Sequence, residues 1–188
     1  MSLSIGDMNE TYNRDNNQDF KEFLPEPIPV TKQIWDEKTL PLVSISCITY
    51  NHENYIREAI EGFLMQKTTF PIEILIHDDA STDNTANIIH EYEAKYSQLI
   101  KPIFQKENQY SKRDGTIGRI QRGRAVGKYY ATCEGDDYWV DPDKLQKQVE
   151  FLEANPDYTL CVGGFRKYNE ETKEESNSVK VTKKAEIT

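Results

Sequence analysis

Short apolar, β-rich runs alternate with helical segments between residues 42 and 154, and this alternation constrains the fold most strongly. The runs Leu42–Ile48 and Pro71–His77 have the composition of strands that are covered on both faces. Helical segments with short connections follow each of them. This order predicts βαβ crossovers, and therefore an α/β, Rossmann-like domain with a mostly parallel sheet and helices on both faces.

The remaining elements follow from the same patterns. Helices are predicted over 54–66, from Asp83 onward, around 119–125 and over 142–153. Further strands are predicted at 100–104, 129–133 and 158–162, and a polar loop at 106–118. Asp83 is a suitable N-cap, which would leave Asp79 free to face a solvent-exposed cleft.

The two ends of the chain differ in composition from its middle. Residues 1–38 are polar and carry prolines at alternate positions, which favours extended backbone, so we expect a flexible polar arm. Ile34 and Trp35 are expected to dock on the domain. Residues 39–165 form the predicted domain. Residues 166–188 are predicted to be a charged tail, because Glu and Lys recur there without a helical stripe.

Charge and cysteine content exclude some classes of protein. The net charge of −9 argues against a protein that grips nucleic acid through its phosphates. No apolar run approaches the roughly 18 residues of a membrane span, and no secretory signal is evident. The three cysteines are odd in number and lie in apolar runs, so we expect buried free thiols and a cytoplasmic protein. They are Cys47, Cys133 and Cys161.

Polar clusters follow three of the predicted strands, at 49–53, 78–79 and 134–137. The carboxyl ends of parallel strands share one edge, where α/β sheets bind ligands. Concentrated carboxylates suit Mg²⁺ or Mn²⁺, which substrate phosphates complete, so we predict a diphosphate ligand. Taken singly, each cluster has a structural alternative: a turn or helix cap, a solvated loop, or a core aromatic at Tyr50.

One segment is clearly basic, and its residues are Arg119, Arg122, Arg124 and Lys128. It is either a solvated helix face or, for some of its members, a phosphate contact suited to the planar guanidinium group. No G-x-G-x-x-G follows the first strand and no Walker A sequence is present, which excludes a dinucleotide or P-loop site.

Taken in order, these blocks resemble family 2 of the glycosyltransferases, which have the GT-A fold. The blocks are Val43-Ser44-Ile45, Thr49-Tyr50-Asn51 with Glu53, Ile76–Asp83, Gly127–Tyr130, Glu134–Trp139 and Asp141–Leu145. The resemblance spans about residues 42–165. It implies a metal-assisted, inverting transfer of a sugar from a nucleotide-sugar donor, typically UDP-linked, to an acceptor hydroxyl, as in polysaccharide biosynthesis.

The resemblance also implies roles for individual residues. Thr49 and Tyr50 would hold the base, with Asn51 and Glu53 beside them. Asp79 would accept a hydrogen bond from the base edge, as from N3–H of uracil.

Further roles are implied around the third cluster. Asp78 would support the turn after its strand, and Arg119 or Arg122 would match a basic position of the family before the fourth strand. Glu134 and Asp136 would stand where the family has its Asp-X-Asp motif, meeting ribose and metal, with Asp136 or Asp137 as the metal ligand.

The resemblance leaves part of the reaction outside the chain. The general base of the family lies downstream, so we expect it beyond residue 188. A saccharide or lipid-linked acceptor, and any peripheral contact with a membrane, would likewise depend on missing regions. Two alternatives stay open: a sugar-phosphate nucleotidyltransferase, and a nucleotide-binding module without catalysis.

Overall fold

The computed structural model of the protein describes residues 26–36, 38–169 and 172–177. The strands are β1 (Ile28–Pro29), β2 (Val43–Thr49), β3 (Lys67–Thr68), β4 (Ile72–Asp78), β5 (Ile100–Phe104), β6 (Tyr129–Glu134), β7 (Arg166–Asn169) and β8 (Glu174–Asn177). The α-helices are α1 (Ile56–Leu64), α2 (Thr85–Lys95), α3 (Thr116–Arg124) and α4 (Lys144–Ala154). Short 3-10 helices occupy Val30–Lys32 and Tyr110–Lys112.

Four parallel strands form the central sheet, in the order β5-β4-β2-β6. Every residue of β4 is buried, as are all residues of β2 except Ile48, which confirms that these apolar runs are interior strands. The crossovers run through α1, α2 and α3. The predicted α/β class with a parallel sheet flanked by helices is therefore confirmed.

Helix α1 covers the sheet through one apolar stripe. Ile56, Ile60 and Phe63 recur at helical spacing and are fully buried. Burial of side chains of this size contributes about 1.5–3 kcal/mol each. Phe63 also meets Trp139 edge-to-face, with 4.9 Å between ring centroids. A methyl group on Gly62 would lie 2.9 Å from the backbone N and O atoms of Trp139, so the helix and that backbone are in close contact.

Part of the predicted arm is built into the fold. Strand β1 pairs antiparallel with β3, and Val30 is buried. Ile34 is 90% exposed, so the prediction that it docks on the domain is wrong. The indole N–H of the neighbouring residue, Trp35, donates to Gln33 Oε1 at 2.9 Å. Residues 1–25 lie outside the described part of the chain.

A second compact unit begins at Lys147. Its only described strands, β7 and β8, form an antiparallel hairpin within the predicted charged tail. The strand predicted at 158–162 is wrong: these residues have no ladder partner in the described structure, and a β-rich run forms a strand only beside a neighbour. Instead, Gln148 Nε2 donates to the Cys161 carbonyl oxygen at 3.3 Å.

The cysteine prediction holds for two of the three residues. Cys47 and Cys133 are buried free thiols, whereas Cys161 is partly exposed. Burial raises the pKa of Cys47 well above its ordinary value and that of Cys133 to about 12. Within the residues described, no helix is long and apolar enough to cross a membrane.

Candidate functional site

The parallel topology brings the three polar clusters to one edge of the sheet. Thr49, the last residue of β2, is in register with Asp78, the last of β4. On the other side of β2, Ile48 is in register with Glu134, the last residue of β6. Backbone bonds continue past the strands, from Asp79 N–H to the Thr49 carbonyl oxygen at 2.9 Å. The shared edge predicted from the sequence is therefore present, and we call it the carboxyl edge.

A set of reciprocal hydrogen bonds, the clasp, joins the loop after β2 to the loop after β4. Asn51 adopts a left-handed backbone conformation with φ of 55°, which asparagine tolerates better than most residues. Its N–H donates to Ser81 Oγ at 2.9 Å, while its side-chain oxygen accepts from the Thr82 amide at 2.8 Å. Asn51 therefore holds two loops together.

Glu53 completes the clasp at the start of α2. Its N–H donates to Asp83 Oδ2 at 3.0 Å, and its own carboxylate accepts from the Asn84 amide at 2.9 Å. Asp83 Oδ1 also accepts from the Thr85 amide at 2.9 Å, so its carboxylate binds the start of α2, although the N-cap position predicted for it is occupied by Asn84. The two carboxylates satisfy backbone donors that a helix N-terminus otherwise leaves unpaired.

Asp79 lies beneath the loop after β5 rather than in an open cleft. Its side chain is 1% exposed, and its two carboxylate oxygens accept from the amides of Gln109 (2.7 Å) and Tyr110 (2.9 Å). The Asn108 side chain donates to the Asp79 carbonyl oxygen at 3.3 Å. The prediction of a solvent-facing Asp79 is therefore wrong, because residues 108–110 fold over it. Each oxygen keeps a lone pair beyond these two bonds.

The last two residues of β4, His77 and Asp78, are also buried. Asp78 accepts hydrogen bonds from the hydroxyl and the amide of Ser81, so it closes the turn. Burial raises the pKa of Asp78, although the Ser81 bonds act in the opposite direction. His77 lies 3.7 Å from Asp79, measured from Nε2 to Oδ1. Burial lowers the pKa of His77, against the opposing influence of Asp79.

The third cluster forms an exposed acidic turn, residues Glu134–Asp137. The Asp137 amide donates to the Glu134 carbonyl oxygen at 3.2 Å, and Gly135 N–H donates to the Ile48 carbonyl oxygen at 2.9 Å. The Glu134, Asp136 and Asp137 side chains are exposed. In the described structure no lysine or arginine lies within ion-pair distance of these carboxylates, so their mutual repulsion is not neutralised by a cationic side chain.

The acidic turn alone does not make a complete metal site. Nowhere in the described ranges do three His, Cys, Asp or Glu side chains converge on one point. One or two carboxylates are nevertheless what Mg²⁺ takes from a protein when substrate phosphates and water supply its other ligands. Asp136 and Asp137 therefore fit a metal that a phosphate ligand completes.

The basic helix α3 is anchored to the sheet by a buried glutamine. Gln121 Nε2 donates to Ser46 Oγ (3.1 Å) and to the Leu75 carbonyl oxygen (2.8 Å). Arg124 donates to Gln121 Oε1 at 2.9 Å, so it supports this anchor rather than facing a ligand. Arg119 is 61% exposed and bonds to the Asp114 carbonyl oxygen within its own segment. Of these two arginines, only Arg119 has the exposure that a phosphate contact needs.

Sequence reasoning missed two features of the carboxyl edge. One is the loop segment 108–110, which supplies the amides on Asp79. The other is His52, whose Nε2 lies 3.9 Å from Asp136 Oδ2. The position of His52 within the first polar cluster was the available signal, but nothing in the spacing linked it to a residue 84 positions away.

The sequence that forms the carboxyl edge is similar to that of known proteins. The sequence pattern of glycosyl transferase family 2 matches residues 44–186, which include all three polar clusters. The chain belongs to glycosyl transferase family 2. An uncharacterized protein of Mycobacterium tuberculosis is 50% identical over 121 residues, or 63% of this chain and 34% of the relative. An uncharacterized glycosyltransferase of Nostoc sp. is 37% identical over 115 residues, or 60% of this chain and 33% of the relative.

A protein of known structure shares the fold. Staphylococcus aureus TarS 1–349, solved in complex with UDP, superposes with a TM-score of 0.51 at 28% identity. The match covers 61% of this chain and 32% of TarS 1–349. This supports the GT-A fold expected of the family. The chain spans about a third of the length of these two curated relatives.

Proposed function

We propose that this chain binds the nucleotide-sugar donor of an inverting, metal-dependent glycosyltransferase, with a UDP-sugar as the donor. The observation that carries the proposal is the exposed acidic turn at the carboxyl edge, without a cationic side chain to neutralise it in the described structure. An acidic surface repels a diphosphate unless a divalent cation lies between them. The complexes of TarS with UDP and with UDP-GlcNAc support the choice of a uridine nucleotide.

Different residues of the carboxyl edge would contact the base, the ribose and the diphosphate of the donor. Tyr50 is 42% exposed and offers its ring to the base. Asp79, in the loop after β4, would offer a remaining lone pair to the imide N–H of uracil. Glu134 and Asp136 face the ribose and the diphosphate.

Asp136 and Asp137 would hold Mn²⁺ or Mg²⁺, which neutralises the departing nucleoside diphosphate. The residues described here are assigned to donor binding, and none of them is proposed as the general base. Transfer to a saccharide acceptor is the activity proposed for the whole protein.

Calorimetry of UDP binding with and without Mn²⁺ tests this function. The wild-type chain is expected to bind UDP only weakly without the metal. The double variant Asp136→Ala/Asp137→Ala is expected to lose at least about tenfold in affinity, equivalent to ~1.4 kcal/mol, in the presence of Mn²⁺.

Asp157→Ala is the matched control, because it removes an exposed carboxylate outside the acidic turn and should change neither quantity. A double variant that keeps the affinity and Mn²⁺ dependence of the wild type would show that the metal assignment is wrong.

A further inference from the structure

His52 lies beside the acidic turn and has no part in the function proposed above. Its backbone is held on both sides. Its N–H donates to Thr85 Oγ1 at 2.8 Å, and its carbonyl oxygen accepts from the amides of Tyr55 (3.0 Å) and Ile56 (2.9 Å) at the start of α1. The imidazole therefore projects from a fixed point between α1 and α2.

The ring approaches the acidic turn where the turn has no side chain. A methyl group on Gly135 would lie 3.0 Å from His52 Nδ1 and 2.5 Å from Thr49 Oγ1. Contacts that short force a neighbour to move, so glycine is what lets the imidazole and the turn come together. His52 Nδ1 is buried there and has no hydrogen-bond partner within the described structure.

The opposite nitrogen of the ring faces a carboxylate. His52 Nε2 lies 3.9 Å from Asp136 Oδ2, and the two side chains are 23% and 48% exposed. A neutral imidazole carries one N–H. Nδ1 lacks a partner in either tautomer, but only the tautomer with the proton on Nε2 also directs an N–H at the Asp136 carboxylate.

We propose that His52 is a positioning residue for Asp136: its Nε2–H, 3.9 Å from Oδ2 and so beyond direct hydrogen-bond distance, attracts the carboxylate electrostatically or through one water and favours the orientation that meets the metal and the donor diphosphate. This inference rests on the proposed function. Groups that orient a ligating side chain typically change metal affinity about 10- to 100-fold when they are removed. The 3.9 Å separation and the half-exposed carboxylate place His52 at the lower end, so we expect about a tenfold effect.

Two substitutions at the same position separate orientation from packing. The amide nitrogen of glutamine reaches about as far as Nε2, whereas that of asparagine reaches only as far as Nδ1. His52→Asn is therefore expected to weaken Mn²⁺-dependent UDP binding about tenfold, and His52→Gln to restore most of that loss. His90→Gln is the matched control, because His90 lies on α2, is 58% exposed, bonds to Glu93 and stacks on Phe104, away from the acidic turn.

The tautomer of His52 tests the contact without any ligand. Long-range ¹H–¹⁵N NMR at an alkaline pH, where imidazoles are neutral, should show His52 protonated on Nε2. Asp136→Asn should shift that nitrogen resonance, and Asp137→Asn, the neighbouring control, should leave it in place.

The outcomes distinguish this inference from the proposed function. A wild-type chain without Mn²⁺-dependent UDP binding would refute the proposed function, and NMR would still decide whether His52 contacts Asp136. An Nδ1-protonated ring, or a resonance that Asp136→Asn leaves unchanged, would overturn the inference. So would equal affinities for His52→Asn and His52→Gln, because packing alone would then explain the residue.

Discussion

Replacing Asp79 by asparagine should destabilise the loop at Gln109 and Tyr110 and should also weaken the binding of UDP. The carboxylate accepts two backbone amides, from Gln109 at 2.7 Å and Tyr110 at 2.9 Å, and is buried. Asparagine offers one acceptor oxygen and turns an NH₂ group toward the second amide. Hydrogen bonds to charged groups contribute about 1.5–3 kcal/mol each, so we expect a loss of about 2–4 kcal/mol.

Urea denaturation and hydrogen exchange measure this loss. With an m-value of about 1–3 kcal/mol/M, the urea midpoint should fall by about 1 M or more if unfolding is two-state. If the loop detaches alone, exchange at Gln109 and Tyr110 should accelerate at least about 30-fold, which corresponds to about 2 kcal/mol. Asp114→Asn is the control, because Asp114 is half exposed and accepts one backbone amide, from Thr116 at 2.9 Å. It should shift the urea midpoint much less than Asp79→Asn does, because the Asp114 carboxylate is open to solvent.

Binding of UDP separates the two roles of Asp79. If its free lone pairs accept the imide N–H of uracil, Asp79→Asn should weaken UDP about ten- to a hundredfold. It should also narrow the preference for UDP over CDP, because cytosine offers no N–H at that ring position. A variant with wild-type stability and wild-type exchange would refute the structural reasoning. A destabilised variant that binds UDP like the wild type would refute base recognition alone.

Two further predictions concern positions away from the ligand. Burial acts to raise the pKa of Glu73, but its bonds to Lys101 (2.8 Å) and to two neutral donors outweigh burial, and the pKa is lowered. The ionised carboxylate therefore stabilises the fold fully above about pH 4.3, the ordinary pKa of glutamate. This stabilisation is lost as the pH falls through the lowered pKa of the folded state. Glu73→Gln should therefore lower the free energy of unfolding, measured in urea, by about 2 kcal/mol at neutral pH and converge with the wild type in acid; a constant gap would contradict this. Gly62→Ala should cost about 1–3 kcal/mol through its contact with Trp139, whereas Gly123→Ala, with open space around it, should gain up to about 1 kcal/mol in the same assay.

The sequence was most informative where burial alone decides the structure. Strands β2 and β4 are buried along almost their whole length, and their apolar runs predicted this position. The run 158–162 has similar composition, but a strand also needs a neighbour, and composition does not reveal one. The hairpin β7–β8 consists of RKYN and EESN, which lack the alternation that predicts strands.

The candidate site divides in the same way. Topology alone places Thr49, Asp78 and Glu134 at one edge, because the ends of parallel strands coincide. The hydrogen-bond partners of these side chains could not be predicted in this way. Asp79 meets amides 30 and 31 residues away, in a loop whose path no local pattern specifies. The exposure of Asp79 was therefore predicted wrongly even though its position in the chain was placed correctly.

The carboxyl edge combines residues that hold the protein together with residues that are free for a ligand. Asn51, Glu53 and Asp79 bond to neighbouring backbone, so the loops around them are ordered before any ligand arrives. Such preorganisation lowers the entropy that binding must supply. Tyr50 and Asp136 are exposed, so substituting them should change affinity with little change in stability. Substitutions in the first group should change both together, and this makes unfolding measurements necessary for interpreting any loss of binding there.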